Sequence, residues 1–345
     1  MSKKRLYIQA MNIHFGGGMV LLRALLGVIP NDLYVILLLD SRARAVDIPD
    51  HITVEFVNNS VFSRLGSELW LRSVVAVGDT VVCLGNIPPL FELKGKVSVL
   101  IQNRLIVDND FDLLSLGGWT FARLLMERLM LTCLRKRNVR YFVQTDSMKH
   151  LVDSMLGCNA SVFPFLGKQN IAKSRLDSEK RFDFIYVASG ENHKNHIRLL
   201  KAWLLLAEAN VFPSLALTVN EETMSPRLRY WIGSVARLPG ARITNLGELT
   251  HQQVLDVYPK CGALIYPSLL ESYGMPLVEA YMLGLPILAS ERDFVRDVVH
   301  PVGTFDPCSS LSISRAVRRF LGLEVGCREA NDPSAFLAII MQEGP

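Results

Sequence analysis

Short runs of apolar residues recur along the chain and alternate with longer stretches in which apolar positions return every three or four residues. This switching between strand-like and helix-like periods predicts an α/β protein with parallel sheets and crossover helices. In the first half the strand candidates are Leu6–Met11, Tyr34–Leu39, Val54–Val57, Thr80–Leu84, Val97–Ile101 and Tyr141–Gln144. In the second half they are Phe184–Val187, Leu215–Val219, Ile243–Leu246, Ala263–Tyr266 and Pro286–Ala289. The stretch Gly167–Arg181 is polar, lacks apolar periodicity and separates the two series, so it reads as a linker. The expected organisation is an N-terminal Rossmann-like domain over 1–166, a linker over 167–180, a second Rossmann-like domain over 181–325, and a tail or helix over 326–345. Two such units facing across a cleft hold a ligand between the carboxyl ends of their sheets.

Composition narrows the class. A chain of 345 residues can bury two cores, and 50% hydrophobic with 20% charged residues is globular composition. The six cysteines are scattered, with no CxxC pair and no histidines at metal-ligand spacing, which fits free thiols in a reducing compartment. The opening MSKKRLYIQAMNIHFGGG is basic and partly apolar, but His14, three glycines and Arg23 interrupt any signal-peptide core, so a cytoplasmic location is expected. No run approaches the roughly 18 apolar residues of a membrane span. Lys and Arg outnumber Asp and Glu by 18 to 14 in residues 1–160 and are balanced, 19 to 19, in 161–345. That surplus is too small for a nucleic-acid binder and is compatible with an anionic membrane surface.

The chemistry concentrates in Tyr266–Asp306, YPSLLESYGMPLVEAYMLGLPILASERDFVRDVVHPVGTFD. A strand ends, the chain turns through Ser272-Tyr273-Gly274, and a helix opens near Pro276. Such a turn aims successive N–H groups and a helix N-terminus at one point, where anionic groups or sugar hydroxyls are held. Glu271 lies in the turn and Glu279 on the helix, and a carboxylate accepts two hydrogen bonds from vicinal hydroxyls. The pattern E-S-Y-G-M-P-L-V-E-A followed by G-L-P-I-L-A-S resembles the E-x7-E motif of glycosyltransferase family 4, retaining enzymes of the GT-B fold, and in particular bacterial surface-polysaccharide transferases of the O-antigen and capsule type. The resemblance implies that Glu271 contacts the donor sugar, that Ser272, Tyr273, Gly274 and Met275 contact sugar and phosphate through their backbone, and that Glu279 holds the ribose. It implies no cofactor beyond the nucleotide-sugar itself, and a lysine with helix dipoles in place of a metal ion.

A second matching segment is Phe184–Leu200, FIYVASGENHKNHIRLL. The resemblance places a lysine at Lys194, on the donor diphosphate, with His193 beside it. The arginine usual in that family is replaced by Ser189. Earlier in the chain, Gly16, Gly17 and Gly18 join the first strand to a helix expected near Met19, and glycines there let backbone approach a phosphate. The same turn would suit a dinucleotide enzyme with Asp40, 22 residues on, as ribose ligand, although Gly-x-Gly-x-x-Gly is absent. Where the resemblance expects an acceptor-side histidine after a middle strand, the chain has Gln102-Asn103-Arg104; these and His14 are the acceptor-side candidates. Asp146 is the expected N-cap of the following helix.

The expected activity is hexosyl transfer from a nucleotide-diphosphate sugar to a glycan or lipid-linked glycan. The alternative is a non-catalytic nucleotide-sugar-binding subunit of a glycan assembly system, suggested by the missing arginine and histidine. Gly117–Arg140 carries six basic residues against one acid, Glu127, and its spacing separates Thr120, Arg123, Glu127, Arg128, Thr132, Arg135 and Lys136 from Phe121, Leu124, Leu125, Leu129 and Met130. It reads either as a crossover helix or as a basic helix lying on the inner face of the cytoplasmic membrane.

Overall fold

A computed structural model describes residues 5–14, 16–43, 47–108, 118–135, 138–165 and 180–323. Most of the expected linker and the tail over 326–345 lie outside the described residues. The N-terminal sheet contains β1 (Arg5–Ala10), β2 (Tyr34–Asp40), β3 (Ile52–Val57), β4 (Thr80–Cys83), β5 (Lys96–Leu100), β6 (Val139–Val143) and β7 (Ser161–Val162), all parallel, in the order β3-β2-β1-β4-β5-β6-β7. The C-terminal sheet contains β8 (Phe182–Tyr186), β9 (Leu215–Leu217), β10 (Ile243–Asn245), β11 (Cys261–Tyr266), β12 (Ile287–Ser290) and β13 (Gly303–Phe305), parallel in the order β10-β9-β8-β11-β12-β13. The α/β architecture of two Rossmann-like domains is the one the alternating pattern predicts. Each expected strand is present with ends shifted by one or two residues. The edge strands β7 and β13 were not anticipated, being too short to show a period.

The helices are α1 (Gly16–Leu26), α2 (Val61–Val74), α3 (Gly118–Cys133) and α4 (Asp146–Leu156) in the first domain. In the second they are α5 (His196–Glu208), α6 (Pro226–Ala236), α7 (His251–Val257), α8 (Met275–Met282), α9 (Asp293–Arg296) and α10 (Ser310–Phe320). Central strands are covered on both faces, so β2 and β11 read as unbroken apolar runs rather than alternating ones. One contiguous core fills the C-terminal domain, where the Phe320 ring of α10 packs 5.6 Å from that of Phe184. The N-terminal core splits into two clusters.

Three local expectations are corrected. The N-cap of α4 is Thr145, whose hydroxyl accepts from Met148 N–H at 3.2 Å, and Asp146 sits in the first turn. A hydroxyl on extended backbone reaches that N–H, and the acid one place later favours the helix dipole. Helix α1 starts at Gly16, not near Met19, so the three glycines form its first turn. On α3, Leu125, Met126 and Leu129 face outward while Glu127 and Arg128 are half-buried, the reverse of a polar outer face. The guanidinium of Arg128 is drawn inward by the carbonyls of Leu105 and Asp108, at 3.0 and 2.7 Å. Lys136 and Arg137 lie outside the described residues.

Candidate active site

The strands of both sheets end at a cleft of about 760 Å³ between the domains. Its C-terminal wall is built by three turns. After β11 the chain runs through Glu271 to Gly274, whose left-handed backbone (φ +76°) starts α8. A Cβ at Gly274 would lie 2.9 Å from the Leu277 side chain, so glycine is required on two counts. Pro276 follows in the first helical turn. Thus the pattern E-S-Y-G-M-P becomes a turn that points the N-terminus of α8 into the cleft, with Ser272, Tyr273, Gly274 and Met275 all on its wall.

Glu271 is partly buried, its side chain 12% exposed, and it accepts four hydrogen bonds from three side chains. Lys194 Nζ donates to both carboxylate oxygens at 2.8 and 2.9 Å, Ser268 Oγ donates at 2.7 Å and Tyr266 OH at 2.9 Å. Burial by itself would raise the carboxyl pKa; the Lys194 ammonium, with the Ser268 bond, outweighs it and holds Glu271 below the usual carboxylate range. The carboxylate is therefore charged and fixed in direction. Lys194 reaches it from the turn after β8, where the main chain of that turn is pinned by Tyr186 OH donating to the Lys194 carbonyl at 2.7 Å.

Glu279 is likewise buried, one face of its carboxylate meeting His251 Nε2 at 2.9 Å and Tyr258 OH at 3.4 Å. The bond to Glu279 raises the pKa of His251 against the opposing effect of burial. His251 stands at the start of α7, whose Thr250 and Gln253 form a reciprocal capping box. That box is legible in sequence, but the direction in which it turns His251 is not. Glu248 and Asn220, joined by a 2.5 Å hydrogen bond, line the same end of the cleft and were also missed.

The turn after β8 departs further from the resembled pattern. Ser189 and Glu191 both line the cleft, and the Ser189 hydroxyl donates to the Glu191 carboxylate. Ser189, at the place where the resemblance expects an arginine, is thus paired with an acid, Glu191. His193 does not line the cleft; its carbonyl accepts from Leu269 N–H at 2.8 Å, and burial followed by the nearby Lys194 charge lowers its pKa. A neutral imidazole leaves Lys194 as the cation of this turn. His196, one turn on, is packed against Tyr186 with ring centroids 4.7 Å apart, and burial lowers its pKa to about 3.

From the opposite domain, Gly16, Gly17, Gly18 and Gln102 line the cleft. A Cβ on Gly17 would stand 3.4 Å from Met275 Sδ and one on Gly18 3.5 Å from Gln102 Oε1, both ordinary contacts, so Gly17 marks where α1 faces α8 across the cleft without being required there. Gln102 is oriented by donating to the Leu84 carbonyl at 3.0 Å. The other acceptor-side candidates sit elsewhere. Asn103 caps its own short turn by accepting from Leu105 N–H at 3.1 Å, and His14 is off the cleft wall. Arg104 pairs with Asp108 at 2.9 Å and, across the domains, with both oxygens of Asp293 at 2.9 Å. Ser147 N–H to Asp297 at 3.0 Å and Thr145 Oγ1 to the Ser272 carbonyl at 3.3 Å complete this clasp. Asp40, the ribose ligand of the dinucleotide alternative, is fully buried with its carboxylate taken up by Arg42 at 2.6 and 2.9 Å.

Comparisons with known proteins bear on the fold and on the family of the C-terminal domain. Residues 167–332 match the family described as glycosyl transferases group 1. No curated protein sequence matches significantly. Among solved structures, sucrose-phosphate synthase from Thermosynechococcus elongatus superposes with a TM-score of 0.68 at 13% identity, covering 93% of this chain and 90% of that one. WaaG, a glycosyltransferase involved in lipopolysaccharide biosynthesis, gives 0.67 at 13% identity over 92% and 90%. HepE from Anabaena, in complex with UDP and glucose, gives 0.64 at 16% identity over 92% and 90%. The family match is confined to residues 167–332, and the superpositions show that the chain has the two-domain GT-B fold of these glycosyltransferase structures.

Proposed function

We propose that this chain moves a hexosyl group from a nucleotide-diphosphate sugar to a glycan or lipid-linked glycan acceptor, with retention of configuration and without a metal ion. The observation that supports it most is the position of two carboxylates, buried Glu279 and partly buried Glu271, on either side of the α8 N-terminus in one cleft. Glu279, aligned by His251 and Tyr258, accepts from the ribose hydroxyls. The first turn of α8 and Lys194 face the diphosphate. Glu271, charged at neutral pH, orients the sugar and stabilises the positive charge that develops on its ring.

In the transfer step the bond from the anomeric carbon to the diphosphate oxygen breaks and a bond to the acceptor hydroxyl oxygen forms on the same face. The acceptor proton passes to the departing phosphate oxygen, so the products are the glycoside and a nucleoside diphosphate. No side-chain base is needed, in keeping with the absence of a histidine among the described residues of the N-terminal wall. Lys194 leaves Glu271 in part to meet the phosphate, so the pair found here is the resting arrangement. Family 4 membership rests on the E-x7-E spacing. The UDP and UDP-glucose bound in the HepE structures make uridine donors the first to test.

A non-catalytic nucleotide-sugar binder is the second reading, favoured by one observation: Ser189 and Glu191 stand where positive charge is expected. Thermal shift across nucleotide-diphosphate sugars, followed by assay of nucleoside diphosphate release from the best binder, separates the two. Stabilisation with release supports transfer. Stabilisation without release, with every acceptor class tried, supports the binder, and no stabilisation by any donor overturns both.

A further inference from the structure

A second, smaller cavity of about 230 Å³ lies in the C-terminal domain, where the turn after β8 meets the starts of α5 and α6. Gly190 and Glu191 line both this cavity and the cleft, so that turn is the wall between them. The charged lining is Arg198, Lys201 and Arg227 against one acid, Glu191, whose carboxylate accepts from the Ser189 hydroxyl. Among the described residues none of the three cations forms an ion pair. Two of them are held in place without one. Arg198 donates to Asn195 Oδ1 at 3.2 Å, and the Lys201 ammonium stands 5.3 Å from the centre of the Trp231 ring. The first turn of α5, a helix of 13 residues, borders the same space and no side chain caps it, so the positive end of its dipole adds to the cations.

Cations beside a helix terminus are common on protein surfaces; His196 distinguishes this place. It lines the cavity, is only 3% exposed, and both of its ring nitrogens are buried without a hydrogen-bond partner. Its low pKa, set by burial and then by the nearby Lys194 and His193, keeps the ring neutral, so one nitrogen carries an N–H and the other a lone pair. Burying such groups unpaired is destabilising, and the lining places them where a ligand can supply the partner. Charge and size select that ligand. Three cations and one acid leave an excess of two positive charges, and a phosphate monoester carries about two negative ones at neutral pH. The volume is under a third of the 760 Å³ of the cleft, too little for a second nucleotide-sugar. We propose that this cavity binds a small phosphate monoester, its oxygens meeting Arg198, Arg227, the first turn of α5 and the His196 N–H. The site is separate from the cleft, and the argument does not depend on the donor chemistry.

The test is calorimetric titration and thermal melting of the full chain with inorganic phosphate and with glycerol 3-phosphate, against glycerol and against sodium chloride at matched ionic strength. Both phosphates should bind and raise the melting temperature of the wild type, and neither control should. Three variants locate the site. Arg198→Gln with Arg227→Gln should weaken both phosphates about tenfold or more, with melting in plain buffer unchanged. Lys194→Ala with Glu271→Ala, which removes the lysine of the donor cleft, should bind them like wild type. His196→Phe keeps a ring against Tyr186 and removes both nitrogens, so it should weaken the phosphates about threefold to tenfold while melting in plain buffer no lower than wild type. Failure of both phosphates to bind the wild type overturns the proposal. So does binding that is lost in the Lys194 and Glu271 variant but kept in the arginine variant, which would put the anion in the donor cleft. Wild-type affinity in His196→Phe also overturns it, because the unpaired imidazole would then be a feature of the core alone.

Discussion

The two domains share one architecture and use their polar groups differently. In the C-terminal domain charged side chains are buried at the cleft and held by neighbours: Glu271 by Lys194, Ser268 and Tyr266, and Glu279 by His251 and Tyr258. In the N-terminal domain the described cleft wall offers a glycine turn and Gln102, and the strongest charge nearby, Arg104, is committed to Asp293 across the gap. On the proposed function the C-terminal domain binds the donor, and a charged, chemically defined ligand needs fixed charges. On the same proposal the N-terminal domain faces the acceptor, and its described lining is uncharged: Gly16, Gly17, Gly18, Val20, Leu21, Gln102 and Gln144. The experiments that follow probe how far this division holds.

The largest effect is expected from Lys194→Ala. On the proposed function it removes the cation that meets the leaving group, and it leaves the partly buried Glu271 without a counter-ion though still bonded to Ser268 and Tyr266, so turnover should fall by about 10²–10³ and stability by up to about 3 kcal/mol. Steady-state kinetics and chemical denaturation measure the two. Adding Glu271→Ala to the same chain should restore most of the stability and none of the turnover, because the buried charge is gone but the chemistry is still missing. Near-normal activity in the single variant would show that the diphosphate is held elsewhere.

Next in size is Glu279→Gln, which should weaken nucleoside diphosphate binding by about 1.5–3 kcal/mol with the fold intact. Calorimetric titration reads this directly, and unchanged affinity would remove the ribose role. On the other side of the comparison, Arg104→Ala should leave nucleoside diphosphate affinity of the C-terminal domain unchanged. Asp293 is half exposed, so the clasp is worth only about 1 kcal/mol, visible as a small loss of melting temperature. A large loss of donor affinity in this variant would show that the cleft is organised from the N-terminal side.

The smallest effect is in pH. His251 has its pKa raised by Glu279, so its charged pairing contributes to stability fully below the ordinary histidine pKa of about 6.5 and is lost as pH rises through the raised value. Glu271 acts in the opposite sense: its lowered pKa gives a contribution present above the ordinary carboxylate pKa and lost as pH falls through the lowered value. Urea denaturation from weakly acidic to weakly alkaline pH should therefore show a slight decline above neutrality. His251→Gln should abolish it, and a decline of equal size in that variant would assign it to another group.

How much was legible in the sequence follows the same division. The E-S-Y-G-M-P turn could be read because its parts are local: Glu271, Gly274 and Glu279 share one turn and one helix. The pairing of Lys194 with Glu271 spans 77 positions, and that of His251 with Glu279 spans 28, so neither has a local signal. The N-cap of α4 was displaced by one residue because Thr145 and Asp146 are both competent caps and only backbone geometry chooses. On α2 and α3 periodicity reveals two faces but not which one meets the sheet. Leu71, Leu124 and Leu131 enter the core, while tertiary hydrogen bonds draw Glu68 and Arg128 inward and leave Phe62, Leu65, Leu125 and Leu129 exposed. Arg104 stood in the expected strand-to-helix junction, but only the second domain reveals that its partner is Asp293.

The central claim is that the two carboxylates divide the donor, Glu279 taking the nucleotide and Glu271 the sugar in its transition state. Its most direct test is to titrate nucleoside diphosphate and the intact nucleotide-sugar into Glu279→Gln and Glu271→Ala, and to measure turnover in the same preparations. Glu279→Gln should weaken both ligands by a similar factor. Glu271→Ala should bind the nucleoside diphosphate like wild type, bind the nucleotide-sugar only slightly less well, and lose turnover far beyond that change. Equal weakening of the nucleoside diphosphate by both substitutions, or a Glu271→Ala defect confined to the Michaelis constant, would contradict the division.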